Sequence, residues 1–316
     1  MTINRAAIEQ LLLEHGWVAK YRLEQNIFSQ IIKELWKGGY VIEEKPDRYQ
    51  LIAIPDQLRS REFTRELVTE KIGHDVFFYD EVTSTQDIAK KMITHGIATE
   101  GMLIVSKRQT KGRGRLKREW HSEEAKGIWA SLIVFPDVAP QKLPLFTLLT
   151  AVAISRTLEG TTGISPEIKW PNDLLVGGKK LCGILTELVN LPGQMPALII
   201  GFGINVSQRQ EDFPSELVEK ATSLFIITKK EWDHLALLRS FCAQFEKQYH
   251  VYKTEGFAPI KSLWEQYCVS LGKTITAKTV TGDFTGEALG IDHEGALLLK
   301  LNDGQIKRIY SADIEI

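Results

Sequence analysis

Hydrophobic and polar positions divide the chain into three regions with different periods. In the first, apolar residues recur at helical spacing over residues 8–12 and, more strongly, over residues 28–36. Two helices are therefore predicted, and the second should end at Gly38-Gly39, because glycine readily follows the last turn of a helix. About ten residues, 17–26, separate the two helices, which is little room for a third helix and a turn.

Two strand-like runs follow the second helix. Residues 40–42 and 49–52 flank the turn residues 45–47, and this spacing predicts a β-hairpin. Helices followed by such a wing indicate a small winged helix-turn-helix domain, which we assign to residues 1–60 together with a linker. The linker is expected to start at residues 54–56 and to include the charged stretch behind them.

The middle region, residues 65–268, mixes strand and helix patterns. The predicted strands are residues 103–105, 128–134, 167–170, 174–176, 182–189 and 197–200, and the predicted helices are residues 145–158 and 232–252. Gly160 is expected to end the first of these helices. Because strands follow one another more often than in a strict βαβ repeat, we predict an α+β fold with a mixed sheet.

The last region, residues 270–316, consists of short strands between regularly spaced turns. The turns fall at Gly282-Asp283, at residues 292–295 and at residues 302–304. A strand pattern of this kind predicts a small β-barrel of about five strands, because closure removes exposed sheet edges.

The overall composition indicates that any ligand binding depends on local clusters of residues. The chain has 316 residues, 43% of them hydrophobic, and a formal net charge of −1, so no global charge draws it to nucleic acid or membrane. Its three cysteines form no CxxC pair, which disfavours a disulfide framework or a zinc site. No signal peptide or membrane-spanning run is recognisable, so we expect a cytoplasmic protein with no membrane partner.

Residues 107–120 carry the densest charge in the chain. Seven of these fourteen residues are Lys or Arg, with Gly112 and Gly114 between them. Such a cluster is costly to order alone, because like charges repel and glycine loses the most conformational entropy. A phosphate or carboxylate would neutralise it through guanidinium and backbone N–H groups. The segment therefore predicts an anion-binding loop, although a solvated basic loop would have the same composition.

A second polar cluster lies at residues 169–173, Lys-Trp-Pro-Asn-Asp. Its proline closes a strand and its last two residues begin a turn, from which Lys180 could return an ammonium group across a hairpin. A surface ion-pair set of Lys169, Asp173 and Lys180, which would contribute little to stability, explains the same residues. Beside the basic loop, a shared site for an anionic substrate is the better interpretation.

Two weaker motifs have structural explanations as well as functional ones. Thr83 or Ser84 could cap the helix that follows, with Asp87 completing a capping box, and the same hydroxyls suit a buried polar ligand. The glycines of residues 201–205, Gly-Phe-Gly-Ile-Asn, allow either a close ligand or a bend in the strand. Gly272-Lys273-Thr274 lacks the earlier glycine of a P-loop, so any ATP site must be of another kind.

Taken together, these motifs resemble the biotin–protein ligase family. Residues 109–120 are similar to the family's Gly-Arg-Gly-Arg ligand loop, residues 169–173 to its second motif and residues 180–185 to its third. Ser84-Thr85 and residues 203–205 match in the same order along the chain. With the winged N-terminal region, the resemblance points to the bifunctional branch that combines ligation with repression of the biotin operon.

The resemblance implies a fold and a two-step reaction. The fold is a class II synthetase-like ligase domain over residues 65–268, followed by an SH3-like barrel over residues 270–316. In the reaction, biotin and ATP give biotinyl-5′-AMP, with Mg²⁺ on the phosphates. A lysine of a biotin carboxyl carrier domain then accepts the biotinyl group. The basic loop is expected to order around the adenylate.

The resemblance also assigns site residues. Arg113 and Arg115 would hold the carboxylate and the phosphate, and Lys180 would stabilise developing charge. Asp173 would orient or deprotonate the acceptor amine. The residues expected to bind biotin or the adenylate are Ser84, Thr85, Gln86, Gln109, Gly112, Arg113, Gly114, Arg115, Lys180, Gly183 and Asn205. No protein metal site is expected.

Two features depart from the family pattern. Many members have glycine at the position of Lys117, so the flexibility of the loop differs here. The predicted recognition helix carries Lys33 and Lys37 but also Glu34, which leaves operator binding open, although a homodimer would double the footprint. A lipoate–protein ligase-like enzyme and a non-catalytic, biotin-sensing DNA-binding regulator remain as alternatives.

Overall fold

The computed structural model describes residues 5–20, 25–122, 124–193 and 195–315. Over these residues the fold is α+β, with three sheets and helices packed on them, as predicted. No helix in the described ranges is long and apolar enough to cross a membrane.

The helices and strands are numbered along the chain. The helices are Arg5–His15 (α1), Gln25–Lys37 (α2), Gln57–Arg65 (α3), Thr85–Thr94 (α4), Leu145–Thr162 (α5), Leu224–Thr228 (α6), His234–Glu255 (α7) and Ala258–Tyr267 (α8). The first strands are Trp17–Ala19 (β1), Val41–Glu44 (β2), Arg48–Ala53 (β3), Val76–Val82 (β4), Leu103–Gln109 (β5), Gly127–Val134 (β6), Glu167–Lys169 (β7) and Asp173–Val176 (β8). The remaining strands are Lys179–Val189 (β9), Ala197–Asn205 (β10), Thr274–Thr279 (β11), Gly282–Ile291 (β12), Leu297–Leu301 (β13), Ile306–Ile309 (β14) and Asp313–Glu315 (β15).

The N-terminal unit contains a strand that the sequence did not predict. Strands β2 and β3 form the expected hairpin, but β1 also pairs with β3, so the sheet has the order β1-β3-β2. Three residues are too short for periodicity to distinguish a strand from a loop, which is why β1 was missed. Part of the segment between α1 and α2, residues 21–24, lies outside the described residues.

The charged stretch after Asp56 is a helix, so the predicted linker is wrong there. Asp56 caps α3, because its side chain accepts a hydrogen bond of 2.9 Å from the backbone N–H of Arg59. The helix buries Phe63 in the core beneath strand β4. Its other positions are mostly charged or polar, so a single apolar anchor and a capping residue were too weak a pattern to reveal it.

The central sheet is mixed, as predicted. Within the described ranges its seven strands have the order β4-β5-β6-β10-β9-β8-β7, in which β4 and β5 pair in parallel and the other neighbours pair antiparallel. Helices α5, α7 and α8 pack together over one face and form the larger core. Helix α4 covers the other face, where it shares a core with the N-terminal unit. Near its C-terminal end α4 contacts the N-terminal unit, where Lys91 pairs with Glu43 and His95 stacks on Trp36.

Helix α5 does not end at Gly160, contrary to the prediction. It continues to Thr162 and ends at Gly163, which takes the left-handed conformation at φ +74°. Both glycines suit a helix end by composition, but three more residues add backbone hydrogen bonds before the chain turns.

The C-terminal region is a five-stranded antiparallel sheet with the order β14-β13-β12-β11-β15, of the SH3-like type that was expected. It packs on the central region at two places. The Trp170 indole donates a hydrogen bond of 3.1 Å to the carbonyl of Gly295. The start of β15 lies against the basic loop.

Candidate functional site

The motifs of the middle region surround one cleft of about 680 Å³. Its walls come from the start of α4, the basic loop, strands β8 to β10 and the segment of residues 213–221. The predicted site residues that line it are Ser84, Thr85, Gln86, Gln109, Arg113, Gly114, Arg115, Asp173, Lys180, Gly183 and Asn205. Gly112 does not line the cleft. It lies behind it, and a Cβ there would overlap the carbonyl of Trp120.

The basic loop folds back on itself in a tight turn. The backbone N–H of Gly114 donates to the carbonyl of Arg118 at 2.8 Å, and that of Arg118 donates to the carbonyl of Arg115 at 3.1 Å. Leu116 and Lys117 take left-handed conformations at φ +55° and +59°. Glycine adopts this conformation at no steric cost, which explains why glycine suits the position of Lys117.

The Arg113 guanidinium is neutralised by protein carboxylates. One end forms a short ion pair with Asp87 at the start of α4, and the other lies 3.1 Å from an Oε of Glu187 on β9. Burial alone would lower the pKa of Arg113, but these two carboxylates outweigh it and raise the pKa. Arg113 therefore crosses the cleft as part of a charge-balanced group.

Arg115, in contrast, has neutral hydrogen-bond partners. Its guanidinium donates to Asn172 Oδ1 at 3.1 Å, to the Ala312 carbonyl at 3.3 Å and to Ser311 Oγ at 2.7 Å. Burial lowers the pKa of Arg115, although the nearby charges of Asp313 and Asp173 act in the opposite direction. Among the described residues these carboxylates form their ion pairs with Arg118 and Lys180 and not with Arg115. Its positive charge is thus partly desolvated and, among the described residues, has no direct carboxylate partner, a state that favours binding of an anion.

Lys180 and Asp173 meet across the β8–β9 hairpin. Lys180 Nζ lies 2.7 Å from Asp173 Oδ1 and 5.2 Å from the centroid of the Trp120 ring. The ammonium group is about one third exposed at the cleft, so it can exchange its partner for a ligand without a large change in burial.

Gln109 connects the basic loop to the start of α4. Its Oε1 accepts from the Thr85 backbone N–H at 2.8 Å, and its Nε2 donates to Ser122 Oγ at 2.9 Å. The Thr85 hydroxyl also lies 2.8 Å from the hydroxyl of Ser131 on β6. These bonds fix the orientation of the Gln109 amide and of Thr85, two polar groups that face the cleft.

The capping box expected at α4 is absent. Ser84 is the residue before the helix, but its side chain makes no capping hydrogen bond, and Thr83 instead donates to Asp87 Oδ2 at 3.1 Å. Asp87 is already paired with Arg113, which removes it from the capping role. The Ser84 hydroxyl lines the cleft, where it is available to a ligand.

Glycines on β9 and β10 let large side chains lie flat on the sheet. A Cβ on Gly203 would overlap the Trp120 indole, and one on Gly183 would lie 2.8 Å from the same ring. A Cβ on Gly201 would lie 2.7 Å from Gln86 Nε2, which donates to the Leu185 carbonyl. The glycines were expected to allow another group to lie close to the strand. In the structure the groups that do so are the side chains of Trp120 and Gln86.

Asn205 uses its amide to hold the neighbouring segment. Its Nδ2 donates to the Thr222 carbonyl at 2.9 Å, and its Oδ1 accepts from Gln208 Nε2 at 3.3 Å. The backbone N–H of Lys180 also donates to the Lys220 carbonyl at 2.7 Å. Asn205 lines the cleft, but its described hydrogen bonds position residues 213–222 over Lys180.

Several residues at the cleft were not among the predicted site residues. Asn172 and Trp120 stood inside quoted motifs and could have been included on that ground. Ser122, residues 213–221 and residues 311–313 carry no local signal, because only the folded chain brings them to the cleft.

The described residues contain no group of three His, Cys, Asp or Glu side chains that could hold a metal ion. Asp173 is a carboxylate of the cleft, and Lys180 is its partner. A Mg²⁺ ion at this site would therefore have to arrive on phosphate oxygens, which is its usual mode of binding with nucleotides.

Comparison with known proteins places the chain in a family. The Biotin/lipoate A/B protein ligase family matches residues 78–205, and the biotin protein ligase C-terminal domain matches residues 270–316. Together these ranges cover more than half of the chain and include the walls of the cleft formed by α4, the basic loop and strands β8 to β10.

Individual relatives extend the match to the N-terminal region. The bifunctional ligase/repressor BirA of Bacillus subtilis is 46% identical over 286 residues, covering 90% of this chain and 87% of its own length. The protein of the same name from Escherichia coli is 28% identical over 93% of this chain and 89% of its own length. The biotin protein ligase of Aquifex aeolicus, solved with biotin and ATP, superposes with a TM-score of 0.67. It is 33% identical and covers 77% of this chain and 98% of its own. The motifs, the cleft and these matches agree, and the chain belongs to the biotin protein ligase family.

Proposed function

We propose that this chain is an ATP-dependent biotin–protein ligase that forms biotinyl-5′-AMP in the cleft. In the first step, a carboxylate oxygen of biotin attacks the α-phosphorus of ATP. A C–O–P anhydride bond forms, the bond from that phosphorus to the bridging oxygen breaks, and pyrophosphate leaves with the electron pair. Catalysis of such a transfer rests mainly on positioning and on neutralising charge.

The bonding of Arg115 supports this proposal most directly, because among the described residues no carboxylate is paired with its guanidinium. Its guanidinium is held by three neutral acceptors at the wall of the cleft, whereas Arg113 is balanced by Asp87 and Glu187. A desolvated cation with neutral partners binds an anion more strongly than one already paired. Arg115 would hold the biotin carboxylate and the α-phosphate, and Arg113 would keep the two carboxylates from repelling them.

The biotin end of the cleft offers fixed polar groups. The hydroxyls of Ser84 and Thr85 and the amide of Gln86 line it, and Gln109 is oriented by its bonds to Thr85 and Ser122. The ureido and carboxylate groups of biotin would replace water at these atoms. A buried polar group left without a hydrogen-bond partner would cost about 1–3 kcal/mol. A ligand that lacks one of these polar groups should therefore bind more weakly than biotin.

Lys180 and Asp173 serve both steps. Lys180 would turn from Asp173 to the phosphate as charge develops, and the Trp120 ring beside it would form part of the wall. In the second step, the amine of an acceptor lysine attacks the anhydride carbonyl. An amide bond forms, the C–O bond to AMP breaks with its electron pair on AMP, and the proton of the amine passes to Asp173 or to water. Asp173 would orient that amine, because its carboxylate is exposed once Lys180 moves away.

Mg²⁺ would enter as the counter-ion of ATP, since the donor set of the cleft fits a phosphate-borne ion better than a protein site. The acceptor would be a biotin carboxyl carrier domain, and the use of ATP suits the cytoplasm.

ATP–pyrophosphate exchange tests the first step. Labelled pyrophosphate should enter ATP when biotin is added and should not when lipoate is added. Exchange with lipoate alone would favour a lipoate ligase, and no exchange with either would favour the non-catalytic regulator.

The N-terminal unit supports a second function, binding of operator DNA by a homodimer. Helix α2 exposes Gln30, Lys33 and Lys37 beside the β2–β3 hairpin, an arrangement of helix and wing that suits a DNA groove. The bifunctional relatives match over this region too. Several nearby cations are already paired, Lys20 with Glu44 and Lys45 with Glu43, so contacts to phosphate would be few.

Selection from a random duplex library, with and without biotin plus ATP, tests the second function. We expect a palindromic sequence to be enriched, and more strongly when the adenylate can form. No enrichment in either condition would show that the chain acts as a ligase alone.

A further inference from the structure

The C-terminal sheet contacts both arginines at the end of the basic loop. Residues 311–313, here called the closing segment, accept hydrogen bonds from Arg115 through Ser311 Oγ and the Ala312 carbonyl. Asp313 of the same segment forms a short ion pair with Arg118 and also lines the cleft. The closing segment thus contacts both Arg115 and Arg118 of the basic loop.

The position of the closing segment is fixed by its own sheet. Strand β15 pairs with β11, placing Asp313 opposite Lys278 and Ile314 opposite Ala277. Ala312 and Ile314 are each 3% exposed, so the backbone on both sides of Asp313 is anchored in the core. Because side chains alternate along a strand, the Asp313 carboxylate must then point away from that core, toward the loop.

A simple surface ion pair would not explain the whole arrangement. The Arg118 side chain is 62% exposed, and an exposed pair of this kind contributes little to stability. The hydrogen bonds of Arg115 differ from this ion pair, because their acceptors are neutral. They orient the guanidinium without neutralising its charge, which can still bind an anion. Asn172 on the ligase side completes the same set, so the Arg115 guanidinium spans the two units.

We propose that the closing segment positions the ligand loop, with Ser311 and Asp313 as positioning residues that slow the escape of the adenylate. This inference rests on the proposed ligase function. Ser311 aims the Arg115 guanidinium, and Asp313 holds the turn of residues 113–119 closed through Arg118. Neither residue takes part in bond making, so their loss should affect retention of the intermediate more than its formation.

The test compares matched variants of the full-length chain. Ser311→Ala removes an acceptor of Arg115, Asp313→Asn removes the negative charge that pairs with Arg118, and Ser311→Thr retains the hydroxyl. Glu315→Gln is the control, because Glu315 lies two residues from Asp313 on the same face of β15 but pairs with Lys278. The preformed complex with labelled biotinyl-adenylate is isolated, and release of the label and trypsin cleavage within residues 107–118 are followed.

Ser311→Ala should release the adenylate about tenfold faster, as expected for a lost bond to a charged group, and Asp313→Asn, which loses an exposed ion pair, about two- to fivefold faster. Cleavage of the loop by trypsin should rise in parallel, while Ser311→Thr and Glu315→Gln behave like the unmodified chain and all melting temperatures agree. Release and cleavage at the unmodified rate in both variants would overturn the proposal and leave the ligase function intact. Failure of the unmodified chain to form any adenylate would overturn the ligase function itself.

Discussion

Lys180 Nζ lies 2.7 Å from Asp173 Oδ1, although the strand register places Lys180 opposite Leu175. The β8–β9 pairing shifts between Leu174 and Leu175, and such an irregularity re-aims the side chains next to it. Both side chains line the cleft.

Substitution of Lys180 should affect chemistry more than stability. Lys180→Met removes a cation from the position where charge develops, so the rate of adenylate formation should fall about 10²- to 10³-fold. The free energy of unfolding should change by no more than about 1 kcal/mol, because the pair with Asp173 is partly exposed. Single-turnover formation of the adenylate and thermal melting measure the two effects.

Lys179→Met is the matched control for that change. Lys179 is the neighbour on the same strand and pairs with Glu219, and its side chain is similarly exposed. It should form the adenylate at nearly the unmodified rate. An equal loss in both variants would mean that general positive charge, and not the position of Lys180, matters.

Arg115→Ala should increase adenylate release by about 10- to 100-fold, because it removes charge-assisted bonds to the bound anion.

Arg113→Ala should act differently, since it exposes Asp87 and Glu187 to an anionic substrate. Its main effect should be a higher KM for ATP, which Glu187→Gln in the same chain should partly restore. Steady-state kinetics of the single and double variants would separate the two roles. Lack of any rescue would contradict the charge-balancing role of Arg113.

A methyl group at Gly203 should disturb the cleft. Gly203→Ala would place a Cβ on the Trp120 indole, so the ring must move and binding of biotin should weaken at least tenfold. Gly160→Ala is the control, because that glycine lies within α5 with open space beside it, and alanine should stabilise the fold by about 0.5–1 kcal/mol. Calorimetric titration with biotin and thermal melting test both statements. Normal biotin binding by Gly203→Ala would contradict the placement of Trp120.

Stability should fall between pH 7 and pH 5 because of His234. Burial, together with the nearby Arg59, lowers the pKa of this imidazole, which lies 3.1 Å from Ser207 Oγ. The unfolded chain therefore takes up a proton near pH 6.5 that the folded chain resists, so folding is favoured above that pH and weakened below it. One such proton changes the free energy of unfolding by at most about 1.4 kcal/mol per pH unit. His234→Gln should flatten this part of the melting profile, and an unchanged profile would exclude His234 as the cause.

The sequence predicted the parts of the fold that have strong periodicity. The hairpin of β2 and β3, the mixed sheet and the five C-terminal strands all follow from repeated apolar positions and turn residues. Strand β1 and helix α3 were missed, because three residues or one apolar anchor give too little pattern. Gly160 was taken for a helix end because composition alone cannot separate it from Gly163.

The candidate site was predictable where its residues are close in sequence. Short motifs supplied Arg113, Arg115 and Lys180, but their partners come from distant segments. Nothing local to Ser311 or Asp313 indicates that β15 will begin beside the basic loop. The different charge balance of Arg113 and Arg115 also depends on tertiary contacts, so adjacent motif positions looked equivalent in the sequence.

Transfer from the isolated adenylate complex to a biotin carboxyl carrier domain tests the central claim most directly. The complex, formed with labelled biotin and ATP and freed of both, is mixed with the carrier domain or with a variant whose acceptor lysine is arginine. The account predicts one stable amide-linked label on the first carrier and none on the second, with AMP released in equal amount. Formation of no adenylate, or release of free biotin without labelling of the carrier, would contradict it.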